Sequence, residues 1–267
     1  MISNSIKILC VSVLLLLGSV YAANQKNETD IKEHLGAKLP LDLKFKNENG
    51  KTVALGDLFK HSTALAFVYY HCPGVCTPLM NEITHVINES DLTGGKDYDV
   101  VTISIDEHEG PADAKQKKEN FLKILRPDFP PDAWTFLTGD SASIHKATDI
   151  AGFNFERTGN TFIHTAAIIF VAKDGKICRY LYPSYTADGQ FSILPFDFKM
   201  ANIETSEGNL MPTVGKVLQF CFSYDPQSKQ YVVNILQVAG GLTLLAALAF
   251  FLIITLKPKK ATSNKRL

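Results

Sequence analysis

The stretch Tyr69-Tyr70-His71-Cys72-Pro73-Gly74-Val75-Cys76-Thr77-Pro78 decides the fold. Before it, Ala64 to Tyr70 is an apolar run with the length of a buried strand. After it, the polar–apolar pattern from Thr77 to Asn88 reads as a helix, and Pro73-Gly74 breaks the chain between the two. Cys72 and Cys76 therefore stand four residues apart where a strand hands over to a helix. The partial positive charge and unpaired N–H groups of a helix N-terminus favour thiolate over thiol at such a place.

Upstream of this junction, Leu41, Leu43 and Phe45 share one face, Asn47-Glu48-Asn49-Gly50 is a turn, and Thr52 to Leu55 resumes a strand, which makes a β-hairpin. Downstream, Asp99 to Ile105 is a second buried strand. It ends at Asp106 and is followed by the acidic loop Glu107-His108-Glu109-Gly110, whose His108 and Glu109 read as solvated. Pro111 opens a helix to about Leu125, Trp134 to Leu137 is a short strand, and Ser141 to Ile150 reads as a helix capped by Ser141. Phe162 to Val171 is a third apolar strand, turning at Lys173-Asp174-Gly175 into Ile177 to Leu181. Ser192 to Glu207 reads as a helix interrupted near Pro195. Strand–helix–strand–helix closed by a hairpin and a helix is the order of a thioredoxin-like α/β fold, here with an N-terminal β-hairpin and a domain spanning residues 38–207.

The two ends set the expected topology. Lys7 and the apolar run Ile8 to Val20, followed by Ala22, resemble a signal peptide over 1–22, which would carry Cys10 away. A polar tether over 23–37 follows. Beyond a stalk at 208–231, Val232 to Leu256 holds no charged residue and is long enough for a C-terminal transmembrane helix through a core of about 30 Å. Lys257, Lys259, Lys260, Lys265 and Arg266 crowd the tail at 257–267, which places that tail in the cytoplasm. The expectation is a single-pass membrane protein with its domain on the exported (periplasmic or extracytoplasmic) side, where thiols can be oxidised. Four cysteines then remain: Cys72, Cys76, Cys178 and Cys221. The last two fit either a disulfide or separate buried thiols. A net charge of zero gives no electrostatic footprint for nucleic acid. Asn27-Glu28-Thr29 and Asn88-Glu89-Ser90 match glycosylation sequons, a pattern short enough to recur by chance.

The Cys72/Cys76 pair admits three chemistries: a reversible disulfide, a metal site, or a structural staple. A staple across so short a loop adds little by chain entropy. Two thiolates suit Cu(I) or Zn(II), but structural zinc asks for four protein ligands and no such cluster is visible, whereas two sulfurs and one imidazole suit copper. His164, in Phe162-Ile163-His164-Thr165, is the best placed imidazole, although a lone histidine in an apolar strand is more often a core residue. His71 could tune the neighbouring thiol or simply sit exposed. Asp106 could orient a ligand or only form its turn. Met80 continues the spacing of Cys72 and Cys76, as a thioether donor or as core.

These segments resemble the Sco/SenC family of membrane-anchored copper proteins. His71-Cys72-Pro73-Gly74-Val75-Cys76-Thr77-Pro78 is similar to the family's Cys-x-x-x-Cys-Pro motif. Ser104-Ile105-Asp106 with Pro111 is similar to its Ser-x-Asp segment, and Phe162-Ile163-His164-Thr165 with Asp174-Gly175 is similar to its distal-histidine segment. The resemblance covers about Leu39 to Tyr182. It implies a thioredoxin-like fold, copper bound by Cys72, Cys76 and His164, and delivery of that copper to the copper-containing subunit of cytochrome c oxidase. His71 and Asp106 are then the candidates for supporting the ligands from outside. The chain departs from the pattern at Ile163, where many members carry Asp, and at Thr77, which separates Cys76 from Pro78. It also departs in its expected anchor, which is C-terminal rather than N-terminal. The leading expectation is a membrane-anchored copper chaperone, not an enzyme, whose Cys72–Cys76 disulfide would switch metal binding off. The rival is a thiol–disulfide oxidoreductase that reduces the cysteines of the oxidase copper site. A third class is a peroxide-reducing thiol enzyme, which has no use for His164.

Overall fold

A computed structural model of the chain describes residues 31–186, 189–211, 222–225 and 230–233. Its centre is a parallel pair. β3 (Ser62–Val68) and β4 (Tyr98–Ser104) run side by side from Ser62↔Tyr98 to Val68↔Ser104, and every residue of β3 is buried. Burial on both faces explains why this strand reads as an unbroken apolar run without alternation. Around the pair the sheet has seven strands. β1 (Lys44–Asn47) and β2 (Thr52–Ala54) form the N-terminal hairpin, and β1 lies antiparallel to β5 (Trp134–Thr138), itself parallel to β4. On the other side, β8 (Ile168–Val171) is antiparallel to β3, and β9 (Ile177–Leu181) is antiparallel to β8.

The parallel strands are joined by helical crossovers. α1 (Cys76–Glu89) connects β3 to β4 and buries Cys76, Leu79, Met80, Ile83, Val86 and Ile87, the three-and-four spacing of one helix face. Met80 is thus a core residue of that face. α2 (Pro111–Leu122) connects β4 to β5, with Pro111 in its first turn, where a missing N–H costs nothing. α3 (Ser141–Ile150) is capped by Asp140, whose side chain accepts from the Ser143 amide at 2.7 Å, so the cap sits one residue before the expected Ser141. α4 (Pro195–Ser206) starts at Pro195 and is not interrupted by it. It packs against β3, β8, β9 and α1.

Phe67, Trp134, Phe136, Phe170 and Phe198 are among the large fully buried side chains of the core, and Trp134 Nε1 donates to Thr102 Oγ1 at 2.8 Å. Residues 31–37, within the expected tether, are tied to the domain: Lys32 N donates to Gly152 O at 2.8 Å, and Gly36 and Ala37 pair with Ile177. Gly152 has φ +62, and a Cβ there would lie 1.7 Å from Lys32 O, so only glycine admits this approach.

Two expectations change. Phe162 to Val171 is not one strand. β6 (Phe155–Thr158) and β7 (Thr161–His164) form a separate two-stranded hairpin, and the sheet strand β8 begins only at Ile168. The C-terminal transmembrane helix is not sustained: no helix among the described residues is long and apolar enough to cross a membrane. Val232 and Val233, the first two residues of the expected span, lie in the strand Gln230–Val233, which pairs antiparallel with the strand Phe222–Asp225. A run counted as apolar helix therefore opens as a strand, and residues 234–256 lie outside the described residues. So do the expected signal peptide, the basic tail, Asn27 and Cys221. The other sequon is described: Asn88 Nδ2 donates to Ile124 O at 3.0 Å and its Oδ1 accepts from the Arg126 amide at 2.7 Å, which engages both ends of the amide a glycan would need.

Candidate metal centre

The turn between β3 and α1 presents both thiols at one end of the sheet. Cys76 is the first residue of α1 and is buried, whereas Cys72 is partly exposed in the turn. Both are free thiols, as is the buried Cys178, whose pKa is pushed up by burial. His164 arrives from elsewhere, at the end of β7, and its ring lies 5.7 Å from Phe153 and 6.1 Å from Tyr69, centroid to centroid. Cys76 Sγ is 3.3 Å from His164 Nε2, and the donor atoms of Cys72, Cys76 and His164 all lie within 4.8 Å of one another. Among the described residues this is the one such convergence of three or more histidine, cysteine or carboxylate side chains.

His164 Nδ1 is 3.2 Å from Thr165 O. A proton on Nδ1 donated to that carbonyl leaves the Nε2 lone pair aimed at the sulfurs, the tautomer a metal ligand requires. The thiols are unequal. Cys72 is drawn well below its ordinary value, first by its hydrogen bond with the Cys76 side chain, with the Cys76 amide and the Tyr69 hydroxyl adding to the effect. Cys76 is pushed up, first by that same hydrogen bond and then by burial. The first proton therefore leaves Cys72, and the Cys76 thiol donates to the resulting thiolate. The Gly74 amide, 3.3 Å from Cys72 Sγ, faces the same charge. Tyr69 is raised to about 12 by burial first and then by its hydrogen bond to Cys72, so its hydroxyl stays a donor.

Sequence reading missed the residue that holds this turn in place. Glu109, expected in solvent, is 7% exposed. Its Oε2 accepts from Ser104 Oγ at 2.6 Å and Tyr70 N at 2.7 Å, while its Oε1 accepts from His71 N at 2.8 Å and meets His71 Nδ1 at 2.9 Å. One carboxylate thus satisfies the two amides that lead into Cys72 and ties them to the end of β4. A glutamate in a run of polar residues gives no signal of this, because its partners are backbone groups of a distant turn. Lys117 works beside it, donating to Tyr70 O at 2.9 Å.

His71 is held by Glu109 on one side, with Asp113 3.6 Å from its Nε2 on the other; its side chain is 67% exposed and it is not among the converging donors. Asp106 does not reach those donors either. Its Oδ1 accepts from Arg157 Nη2 at 2.7 Å and from the His108 amide at 3.1 Å. Ile163, beside His164, is 50% exposed, and Val75, between the cysteines, is 36% exposed.

Fold and donor set together define a thioredoxin-like α/β protein carrying a two-thiol, one-imidazole centre at the sheet's end. A family model described as SCO1/SenC matches residues 33–193, more than half of the chain, and the chain belongs to that family. It is 24% identical over 140 residues to a Bacillus subtilis protein called an SCO1 protein homolog, covering 51% of this chain and 69% of that one. Among solved structures, a protein from Aquifex aeolicus VF5 superposes with a TM-score of 0.56 at 23% identity, over 66% of this chain and 95% of the other. Arabidopsis thaliana ScoI, solved with copper bound, superposes with a TM-score of 0.50 at 18% identity, over 64% and 98%.

Proposed function

We propose that this protein binds copper through Cys72, Cys76 and His164 and passes it on as a metallochaperone. The carrying observation is the convergence of those three donor atoms within 4.8 Å. Two sulfurs and one nitrogen match the low coordination number and soft-ligand preference of Cu(I). The charge left on Cys72 by its contact with Cys76 supports binding without an external base. Partial exposure of Cys72 and His164 leaves an approach for a recipient's ligands, so copper can leave by exchange of one donor at a time. The recipient we propose is the copper-containing subunit of a cytochrome c oxidase, with transfer on the exported side, where oxidation to a Cys72–Cys76 disulfide would close the site.

The test loads the reduced protein with Cu(I) and compares it with His164→Ala. Loss of one of three ligands is expected to weaken affinity by at least the ~10–100-fold seen when only the outer partners of a ligand are removed. Unchanged stoichiometry and affinity in that variant would defeat the three-ligand site.

One observation supports a second reading. The unequal thiols, Cys72 ionised and reachable and Cys76 protonated and buried, are the arrangement of an attacking and a resolving cysteine. Cys72 would attack a disulfide of the partner and release one partner thiolate. Cys76 would then displace the second, leaving a Cys72–Cys76 disulfide and a reduced partner. That activity should survive in His164→Ala and vanish in Cys72→Ala.

A further inference from the structure

We infer that Arg157 is a positioning residue for the His164 ligand, acting as a latch that holds the β6–β7 hairpin against the loop after β4. The inference rests on the three-ligand reading above. His164 does not belong to the sheet that fixes the cysteines. It ends a two-stranded hairpin, opposite Phe155 in register, and the chain enters the sheet only at Ile168. Something other than the sheet's hydrogen bonds must therefore set its distance from Cys76. Arg157 stands on β6 opposite Phe162. Its Nη2 donates to Asp106 Oδ1 at 2.7 Å and to Glu107 Oε2 at 2.9 Å, and its guanidinium lies 4.3 Å from the Phe162 ring centroid. The Phe162 ring in turn meets Tyr69 edge-on at 5.0 Å, at the start of the cysteine turn.

The hairpin is thus seated through Phe155 stacked on His145 and His164 beside Phe153, through Phe162 on Tyr69, and through Arg157 on two carboxylates just after β4. The guanidinium joins the last two seats, because a planar cation can stack on a ring while its edge donates to both acids. Asp106 serves the metal centre through this latch. Removing the guanidinium releases the charged seat and frees His164 to move relative to thiols that stay where β3, α1 and Glu109 hold them.

The experiment measures two quantities on the full-length protein: Cu(I) affinity by competition with a chromophoric chelator, and the reduction potential of the Cys72–Cys76 pair. Arg157→Ala is expected to lower Cu(I) affinity about tenfold, the low end of what outer partners of metal ligands contribute, and to leave the potential unchanged. Arg157→Lys should recover only part of the loss, since an ammonium can meet the carboxylates but has no planar face to stack on the Phe162 ring at the same time. Added to His164→Ala, the Arg157→Ala change should cost nothing further. Wild-type affinity in Arg157→Ala overturns the inference, as does a further loss in the double variant, or a potential that moves along with the affinity. Glu107→Gln attacks the latch from the other side and should lower affinity in the same direction if Arg157→Ala folds poorly; an unchanged affinity there also overturns it. A His164→Ala variant that binds copper as the parent does defeats the three-ligand reading itself, an outcome separate from all of these.

Discussion

Glu109 shows how much of a functional site one buried carboxylate can organise. Replacing it with glutamine keeps its size but turns an N–H toward donors that already point at it. Each buried donor left unpaired costs about 1–3 kcal/mol. Glu109→Gln is therefore expected to lower unfolding free energy by about that amount in denaturant titrations, against a change within about 0.5 kcal/mol for the exposed Glu119→Gln. Equal effects would mean that Glu109 holds nothing. The thiols give a pH prediction. Because the folded-state pKa of Cys72 lies below the ordinary thiol value of 9.0, its thiolate is present at neutral pH and is lost only as pH falls through that depressed value. Iodoacetamide should label Cys72 in the folded, reduced protein at nearly constant rate from pH 8 down to pH 6, while Cys76 stays unlabelled. A rate that falls tenfold per pH unit across that range would contradict the assignment. Cys72, Cys76 and His164 were legible in the sequence because their spacing and flanks carry chemistry locally. Glu109 and Arg157 were not, because their partners are set by how distant segments fold together.

At the scale of elements, the strands and helices of the sheet were legible wherever burial wrote a periodic pattern. The β6–β7 hairpin was not, although Gly159-Asn160 between Thr158 and Thr161 is a two-residue hairpin signal. The apolar run that continues to Val171 hid the break at Thr165–Ala167. The C-terminal apolar run misled in a similar way: counting residues found a span, and pairing with Phe222–Asp225 claimed its first two for a strand. The N-terminal hairpin offers its own test. Lys118 of α2 meets Glu48 Oε1 at 2.6 Å with both side chains 9% exposed, and Glu48 Oε2 accepts from Phe136 N at 3.2 Å. Removing one partner of a buried pair strands the other's charge, at about 3–5 kcal/mol. Lys118→Met should therefore lower the melting temperature clearly. A shift no larger than that of a surface substitution would show that Glu48 regains water at little cost.

For the whole molecule, the described core closes within residues 31–211. The N-terminal segment is stitched to β9 through Ile177, and the Met211 amide donates to Cys178 O at 3.0 Å. Residues 31–211 produced alone should melt in one cooperative transition, with calorimetric and van't Hoff enthalpies that agree, and should bind Cu(I) with the affinity of the full chain. A broad melt, or lost binding, would place an essential part of the domain outside that range.

The three-residue joint between β7 and β8 has a consequence for how such a centre can be altered. The thiols ride at the end of a fully buried strand, where a shift of one residue would exchange every side chain between its two packed faces. The imidazole rides on an appendage whose tip, at Gly159, has open space around it. Insertions there lengthen the arm without touching the sheet's register. Half of the centre is therefore frozen by architecture and half is free to be re-tailored. An engineer wanting a dye that reports when the ion departs would attach it at Gly159-Asn160, at the end of the hairpin away from His164, and leave the Cys-x-x-x-Cys turn alone.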